Sequence, residues 1–507
     1  MRQSEVSTCS PRTLLSPEIL QIFVLVSFVT LAACGGGSNG ENVAATFAVY
    51  TDKENTSFLN ELRLVELEMP AATTKLSGVF PDDARGVSEA IIGPDGTWVI
   101  YVADQEIARF SELYLVNLAT PGVATKLSGT LQSGDFSTGV RNVTLNTDGT
   151  RTFYLAEQKN RVAELYAVDL ASPGIATKLS NSQAAEGPVR QFSASADGSQ
   201  IVYSARNNGV QELYAVDVAN PGVATQLNPP PIAGSSVLDF RLSIDGTHLV
   251  YAVLGDFGVD DFIDLSNARL QLFAVDLSNP GVASELSGAS PPLEFGKTHF
   301  KLSVDGARVL YRAGQLDDGT LDLYTTELSN PGIRIKLNEA LADGGAVEFD
   351  YRLSSDGARV FYRANQHTGG ASDLFMVDIA SPGLATQLNA TSAPEGEVLD
   401  FTLDNDEKRA IYRARDADGI PTLYAVDLMN PGVATKLTKE LSVFGPGLGA
   451  PIYQVTADDT RVVYRARPSD GLTQLYSGEL ANPQIATRLN GPQFPVFGSV
   501  KIFAIWP

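Results

Sequence analysis

A stretch of about fifty residues returns in register along most of this chain, and it constrains the fold more than any other feature. Its cleanest copy runs from Ala196 to Leu227, ADGSQIVYSARNNGVQELYAVDVANPGVATQL. Three apolar runs, IVYSA, ELYAVDV and VATQL, are set off by two turn signals, Asp197-Gly198 and Asn220-Pro221-Gly222. Proline presets φ near −65° and glycine accepts positive φ, so both tripeptide and dipeptide read as tight turns. Short runs rich in Val, Ile and Tyr between such turns are antiparallel strands joined by hairpins. One such unit has two apolar faces and cannot cover both. It must pack against copies of itself.

Eight full units are present. Their turn acids are Asp95, Asp148, Asp197, Asp245, Asp305, Asp356, Asp406 and Asp458, and each precedes a strand tyrosine by six residues, from Tyr101 to Tyr464. The prolines of the second turn, from Pro121 to Pro483, are spaced 52, 48, 59, 51, 51, 49 and 52 apart. A four-stranded unit of that length has the size of a propeller blade. The N-terminal unit is partial: TFAVY at 46–50, ELRLVEL at 61–67 and ATTKL at 72–76, with no inner strand ahead of it. The C-terminal SVKIFAIWP, residues 499–507, has the alternation of an inner strand and no successors. Joining the two closes a ring without an unpaired edge. The predicted fold is therefore all-β: a single closed β-propeller of nine four-stranded blades over residues 46–507. Eight blades is the alternative, with residues 43–76 as an irregular cap.

The recurring S-x-D-G-x-x-V-x-Y followed by E-L-Y-x-V-D-L resembles the WD40-like (PD40) repeats of the TolB-type β-propellers, related in architecture to the propeller domains of prolyl oligopeptidases. The resemblance covers roughly residues 46–507. It implies a propeller, while a Tol-system role is not implied, because TolB itself resembles a propeller preceded by a separate α/β domain and this chain leaves no room for one.

Ahead of the repeats, Ile19 to Leu31 form a thirteen-residue apolar run, short for a membrane span and the length of a signal-peptide core. It ends in Leu31-Ala32-Ala33-Cys34, which resembles the lipobox of bacterial lipoproteins. The resemblance implies cleavage before Cys34 and acylation of that cysteine. Residues 1–33 are thus expected to be a signal peptide and 34–45, beginning GGGSNGEN after the cysteine, a flexible tether. Expected localisation is the cell envelope, as an outer-membrane lipoprotein facing either the periplasm or the surface. Gly35, with no Asp at that position, is compatible with outer-membrane sorting on the same resemblance. The one other cysteine, Cys9, lies inside the leader, so the mature chain is expected to hold no disulfide.

Charge excludes one class of partner. With 37 basic and 59 acidic residues, net −22, the chain repels phosphate backbones, and nucleic acid is not expected as a ligand. Membrane association is expected through the N-terminal lipid only. No catalytic residue is assigned. Gly36-Gly37-Ser38-Asn39-Gly40 matches the nucleophile-elbow pattern but sits in the tether, without the strand and helix the pattern needs. His248, His299 and His367 show no metal-ligand spacing.

Three features are candidate functional groups. The turn acids read as structural, since an Asp before Gly accepts hydrogen bonds from its own turn. The longest unit inserts GDFGVDDFIDLSNARL, bringing Asp256, Asp260, Asp261 and Asp264 into one loop. That loop is expected to be a Ca²⁺ site or a contact loop, against the plain reading of a solvated acidic loop, and no other cofactor is expected. In the later units Tyr-Arg-Ala recurs, placing Arg312, Arg363, Arg413 and Arg465 on the second strand. Six residues before each turn acid stand Glu89, Asn142, Gln191, Asp239, His299, Asp350, Asp400 and Ile452. A two-residue Asp-Gly hairpin sets Asp350 opposite Arg363 and Asp400 opposite Arg413, as inter-blade ion pairs or as a channel rim that selects a polar ligand. A three-residue turn with a bulge makes the pairs diagonal instead.

The expected function is that of a lipid-anchored, non-enzymatic binding or scaffolding module for an envelope protein, peptide or glycan. The alternatives are an envelope hydrolase or lyase using carboxylates at the channel mouth, and a purely structural envelope component.

Overall fold

The computed structural model describes residues 47–53, 59–67, 72–131, 139–157, 162–181, 186–207, 209–229, 236–255, 269–287, 300–314, 320–342, 345–366, 371–389, 396–438, 452–467, 473–483, 486–490 and 503–506. The leader, the lipid-site Cys34, the acidic insertion with Asp256, Asp260, Asp261 and Asp264, and His299 and His367 lie outside the described residues.

All regular elements among the described residues are strands, and they form nine four-stranded antiparallel sheets. The chain is a nine-bladed β-propeller. In eight blades the strands run in chain order; the eighth, for example, consists of Val398–Leu403, Arg409–Arg415, Pro421–Asp427 and Ala434–Lys436. The first blade takes Phe47–Lys53, Asn60–Glu66 and Thr73–Lys75 from one end of the chain and Phe503–Trp506 from the other. Phe47 pairs with Trp506 and Tyr50 with Phe503, so the C-terminal strand supplies the missing inner strand. At the seam between blades nine and one, Val463, Leu475 and Leu489 share a core cluster with Ala48, Tyr50, Val65 and Leu67.

In the eight blades after the first, the same few interactions recur. The second-strand tyrosine is buried and stacks on the aromatic ring directly opposite on the third strand, at centroid separations from 5.5 Å for Tyr203–Tyr214 to 6.0 Å for Tyr311–Tyr324. Such a pair is worth about 0.5–1.5 kcal/mol beyond its buried area. The leucine of E-L-Y donates its N–H to the Ser, Thr or Asn that follows the outer strand, as in Leu213 to Asn228 at 2.8 Å and Leu423 to Thr438 at 3.2 Å. Between blades, the glycine of the second turn donates to the outer-strand leucine carbonyl of the preceding blade. Gly222 reaches Leu179 at 3.1 Å and Gly432 reaches Leu388 at 2.9 Å. The glycine has φ +79° at both positions, which explains the residue type.

The first turn differs in detail from a two-residue hairpin. In Ser354-Ser355-Asp356-Gly357 only the glycine has positive φ, +69°, and the closing bond runs from Ser354 N–H to Arg359 O at 2.8 Å. Four residues are looped out instead of two. Two are added symmetrically, so the register is unchanged and Asp400 pairs directly with Arg413. Asp356 accepts the Ala358 N–H at 3.0 Å and the Ser354 hydroxyl, and Ser354 Oγ accepts the Arg359 N–H at 2.9 Å. These bonds, the serine's first, hold the Asp356 carboxyl below its usual range.

The residue after the second-turn glycine is an exposed aliphatic in seven successive blades: Val123, Ile175, Val223, Val282, Ile333, Leu384 and Val433, between 58% and 73% exposed. Removing the closing strand by ending the chain before Phe503 leaves the second strand of blade one as an open edge. The expected result is a lower melting midpoint together with concentration-dependent self-association, read by size-exclusion chromatography.

Candidate functional site

The inner strands bring together the positions six residues before the turn acids. In four blades the inner strand carries a register shift just ahead of that position, between Val87 and Glu89, Val189 and Gln191, Val237 and Asp239, and Val398 and Asp400. A bulge re-aims the next side chain, here toward the channel. Equivalent residues of adjacent blades then meet: Gln191 Nε2 donates to Asp239 Oδ1 at 3.0 Å, from blade four to blade five. Asp239 also accepts from Arg241 of its own strand.

The arginine series lies directly behind this position. Arg363 Nε donates to both oxygens of Asp350, at 3.0 and 2.9 Å, and its Nη1 donates to the Val398 carbonyl of the next blade at 2.5 Å. Arg413 Nε holds both oxygens of Asp400 at 3.0 Å. In both pairs the guanidinium is the buried partner, 11–12% exposed, while the carboxylate is 29–30% exposed. Arg312 has no acid at its inner-strand position, residue 299; it stacks on Phe349 of the next blade at 3.7 Å and donates to the Val347 carbonyl. Arg465 is fully buried, next to Ile452 where the two preceding blades have Asp. Burial first, and Arg413 second, pulls its guanidinium down to about 10. The structure thus brings Arg363 to Asp350 and Arg413 to Asp400, and ties Arg312 and Arg363 to the following blade.

Glu89 is the unpaired counterpart in blade two. Glu89 is half-buried, and the protein packed around it pushes its carboxyl up to about 7. A hydrogen bond from the Val143 backbone of the next blade acts in the opposite direction and is the smaller effect. A carboxyl titrating near neutrality can hold or release a proton at the channel wall.

A second concentration of charge was not singled out in the sequence. Blade eight has Asp404-Asn405-Asp406-Glu407 and blade nine Thr456-Ala457-Asp458-Asp459 where the other six turns end in Asp-Gly and four of them read S-x-D-G. Glu407 and Asp459 stand in the glycine place, at φ +51° and +54°. A side chain there costs about 1–2 kcal/mol. Each acid reaches back one blade: Glu407 accepts the Ser355 N–H at 2.7 Å, and Asp459 accepts the N–H groups of Asn405 and Asp406 at 2.8 and 3.0 Å. Asp404 replaces the turn serine and is buried; burial pushes its carboxyl up to about 6. The visible signal was the break in the S-x-D-G pattern itself.

No protein-family model matches this chain, and no curated protein matches it in sequence. Solved structures do resemble it. Porphyromonas gingivalis dipeptidyl peptidase 4 is 13% identical with a TM-score of 0.52, over 81% of this chain and 60% of that one. An oligogalacturonate lyase in complex with manganese is 14% identical with a TM-score of 0.45, over 90% and 98%. The β-propeller domain of the Trilobed protease from Pyrococcus furiosus is 13% identical with a TM-score of 0.36, over 70% and 97%. The chain spans 50–60% of the length of the peptidases it matches. At these identities the likeness is one of fold. The expectation of a chain without chemistry is overturned to this extent: a dipeptidyl peptidase shares the fold, and a propeller is therefore no ground for a non-catalytic role.

The two raised carboxyls make stability depend on pH with a definite sign. Glu89 moves from 4.5 to about 7 and Asp404 from 3.8 to about 6 on folding. Their protonated forms favour the fold, so their contribution is complete below the unfolded values and is lost as pH rises through 6 and 7. Turn acids with lowered values, such as Asp356, act oppositely and only below about 4. Unfolding free energy should therefore be higher at pH 5 than at pH 8, by on the order of 2 kcal/mol for Glu89 alone. In denaturant titrations Glu89→Gln should flatten that difference; an unchanged slope would show that the carboxyl is not desolvated.

Proposed function

We propose that this chain is a lipid-tethered propeller of the cell envelope whose channel face binds a protein, peptide or glycan partner. The observation that carries the reading is the set of polar side chains at one inner-strand position: Glu89, Gln191, Asp239, Asp350 and Asp400. Two of them are fixed by buried arginines that leave the carboxylate toward the channel. Groups locked before a ligand arrives lose little freedom on binding, which is what a selective polar site requires. The likeness of the repeat to TolB-type propellers, and of Leu31-Ala32-Ala33-Cys34 to a lipobox, supports the envelope assignment.

Cys34→Ser should move the protein from the membrane fraction to the soluble fraction. Crosslinking in intact cells followed by affinity capture should recover one specific partner with the wild type and lose it with Asp239→Asn, at an unchanged melting midpoint. Equal recovery by that variant would count against the channel as the binding surface.

Glu89 favours a second reading, a hydrolase or lyase working through channel carboxylates. Under that reading the wild type turns over an oligosaccharide or peptide from a substrate panel and Glu89→Gln loses at least a hundredfold of the rate, in the range general acid–base catalysis supplies. Retention of the rate by Glu89→Gln would end it.

A further inference from the structure

The geometry points to a docking groove for a basic peptide segment, an Arg or Lys beside an apolar residue, between blades eight and nine. This goes beyond the channel reading: it names a second binding surface and the chemistry of its partner. The groove is an open cavity of about 850 Å³ walled by the first turns of both blades and by the third strand and second turn of blade eight. That volume falls within the range of sites that hold a short ligand segment.

Its walls are complementary to such a segment. Asp406, Asp427, Asp458 and Asp459 line it, and Arg409 is the one cation among the lining residues. Arg409 stands opposite Asp427 in the strand register, and its Nε is 3.6 Å from Asp404. Lys408, paired with Asp406 at 2.6 Å, is 72% exposed and free to swing away. The apolar part of the wall includes Val433, 62% exposed, and Leu480. Asn430 and Thr435 offer hydrogen bonds to a peptide backbone.

Asp404 is the independent sign that positive charge belongs here. At this turn position Ser195, Ser243, Ser303, Ser354 and Thr456 donate a hydroxyl to their turn acid. Asp404 is 2% exposed and its Oδ2 accepts no hydrogen bond. Its carboxylate lies within 4.8 Å of those of Asp406 and Asp459, behind the groove floor. Asp404 Oδ1 caps the turn by accepting the Lys408 and Arg409 N–H groups at 2.9 and 2.8 Å, a task the neutral Ser354 and Asn146 perform in other turns, so the turn itself calls for no second charge, and a guanidinium or ammonium entering the groove meets a field that Lys408 and Arg409 only partly balance.

The test uses the full chain and two fluorescent hexapeptides, Ala-Leu-Arg-Leu-Arg-Ala and the same peptide with Glu for Arg, followed by anisotropy. The arginine peptide should bind and the glutamate peptide should not. Asp427→Asn with Asp458→Asn keeps the acceptors that cap both turns and should weaken binding at least tenfold. The corresponding pair at another seam, Asp217→Asn with Asp245→Asn, should leave it unchanged. Equal losses with both pairs would mean general attraction to an acidic protein and overturn the groove. Displacement of the peptide by millimolar CaCl₂ at constant ionic strength would assign the carboxylates to a metal instead, and overturn it too. Loss with Asp239→Asn but not with the groove pair would reject the groove and leave the channel reading standing.

Discussion

A four-stranded twisted sheet with apolar side chains on both faces has no stable existence alone, and this requirement for a neighbour on each side organises the whole molecule. Every blade buries one face against the blade before it and the other against the blade after it. Clusters such as the one containing Leu310, Leu323, Tyr351 and Tyr362 accordingly combine residues from two blades. A row of such sheets ends in two open apolar faces unless it closes. Closure in turn needs a sheet in which the two ends of the chain meet, and the pairing of Phe47–Lys53 with Phe503–Trp506 provides it. Stability is thus a property of the ring, and local weakness in one blade is felt at both its seams.

The same geometry decides where chemistry can stand. Outer strands are three residues long, with all three residues exposed in Ala486–Arg488, and they follow the Pro-Gly turns that hook onto the preceding blade. Inner strands crowd around an axis, so their side chains meet those of equivalent strands, as Gln191 meets Asp239. Crowding has two consequences. It desolvates Glu89, and it makes an arginine behind an acid worthwhile, because the buried guanidinium is compensated by a carboxylate at its Nε and a carbonyl at its Nη1. The later blades take the second solution and the second blade the first, giving the channel wall two electrostatic characters.

Much of this was legible in the residues. The blade count followed from eight registered turn acids and one split unit, and the pairing of Asp400 with Arg413 followed from the parity of the hairpin, which a four-residue loop shares with a two-residue one. What could not be read is what depends on three-dimensional closeness. The shifts before Glu89 and Asp239 arise where strands bend around the channel, and no residue type announces them. The bond from Arg363 to the Val398 carbonyl joins residues of different blades whose separation is set by ring size. Glu407 and Asp459 were visible as departures from S-x-D-G, but their reach to Ser355 and Asn405 depends on how adjacent turns are stacked.

Those departures carry a general argument about repeats. A glycine at the fourth turn position is the low-strain solution, and six turns keep it, with φ from +65° at Gly96 to +69° at Gly357. Two adjacent turns accept the strain of a side chain there and recover backbone hydrogen bonds across the seam in exchange. That accounts for an acceptor at residues 407 and 459, yet a neutral Asn, which tolerates positive φ well, supplies one too. Asp459 needs both of its oxygens for these bonds, whereas Asp404 caps its turn through one oxygen, as the neutral Ser354 and Asn146 do elsewhere, so its charge is an addition the turn does not require. Where a repeat protein departs from its own consensus against local strain and toward a single charge sign, the departure marks the surface on which its units have stopped being equivalent.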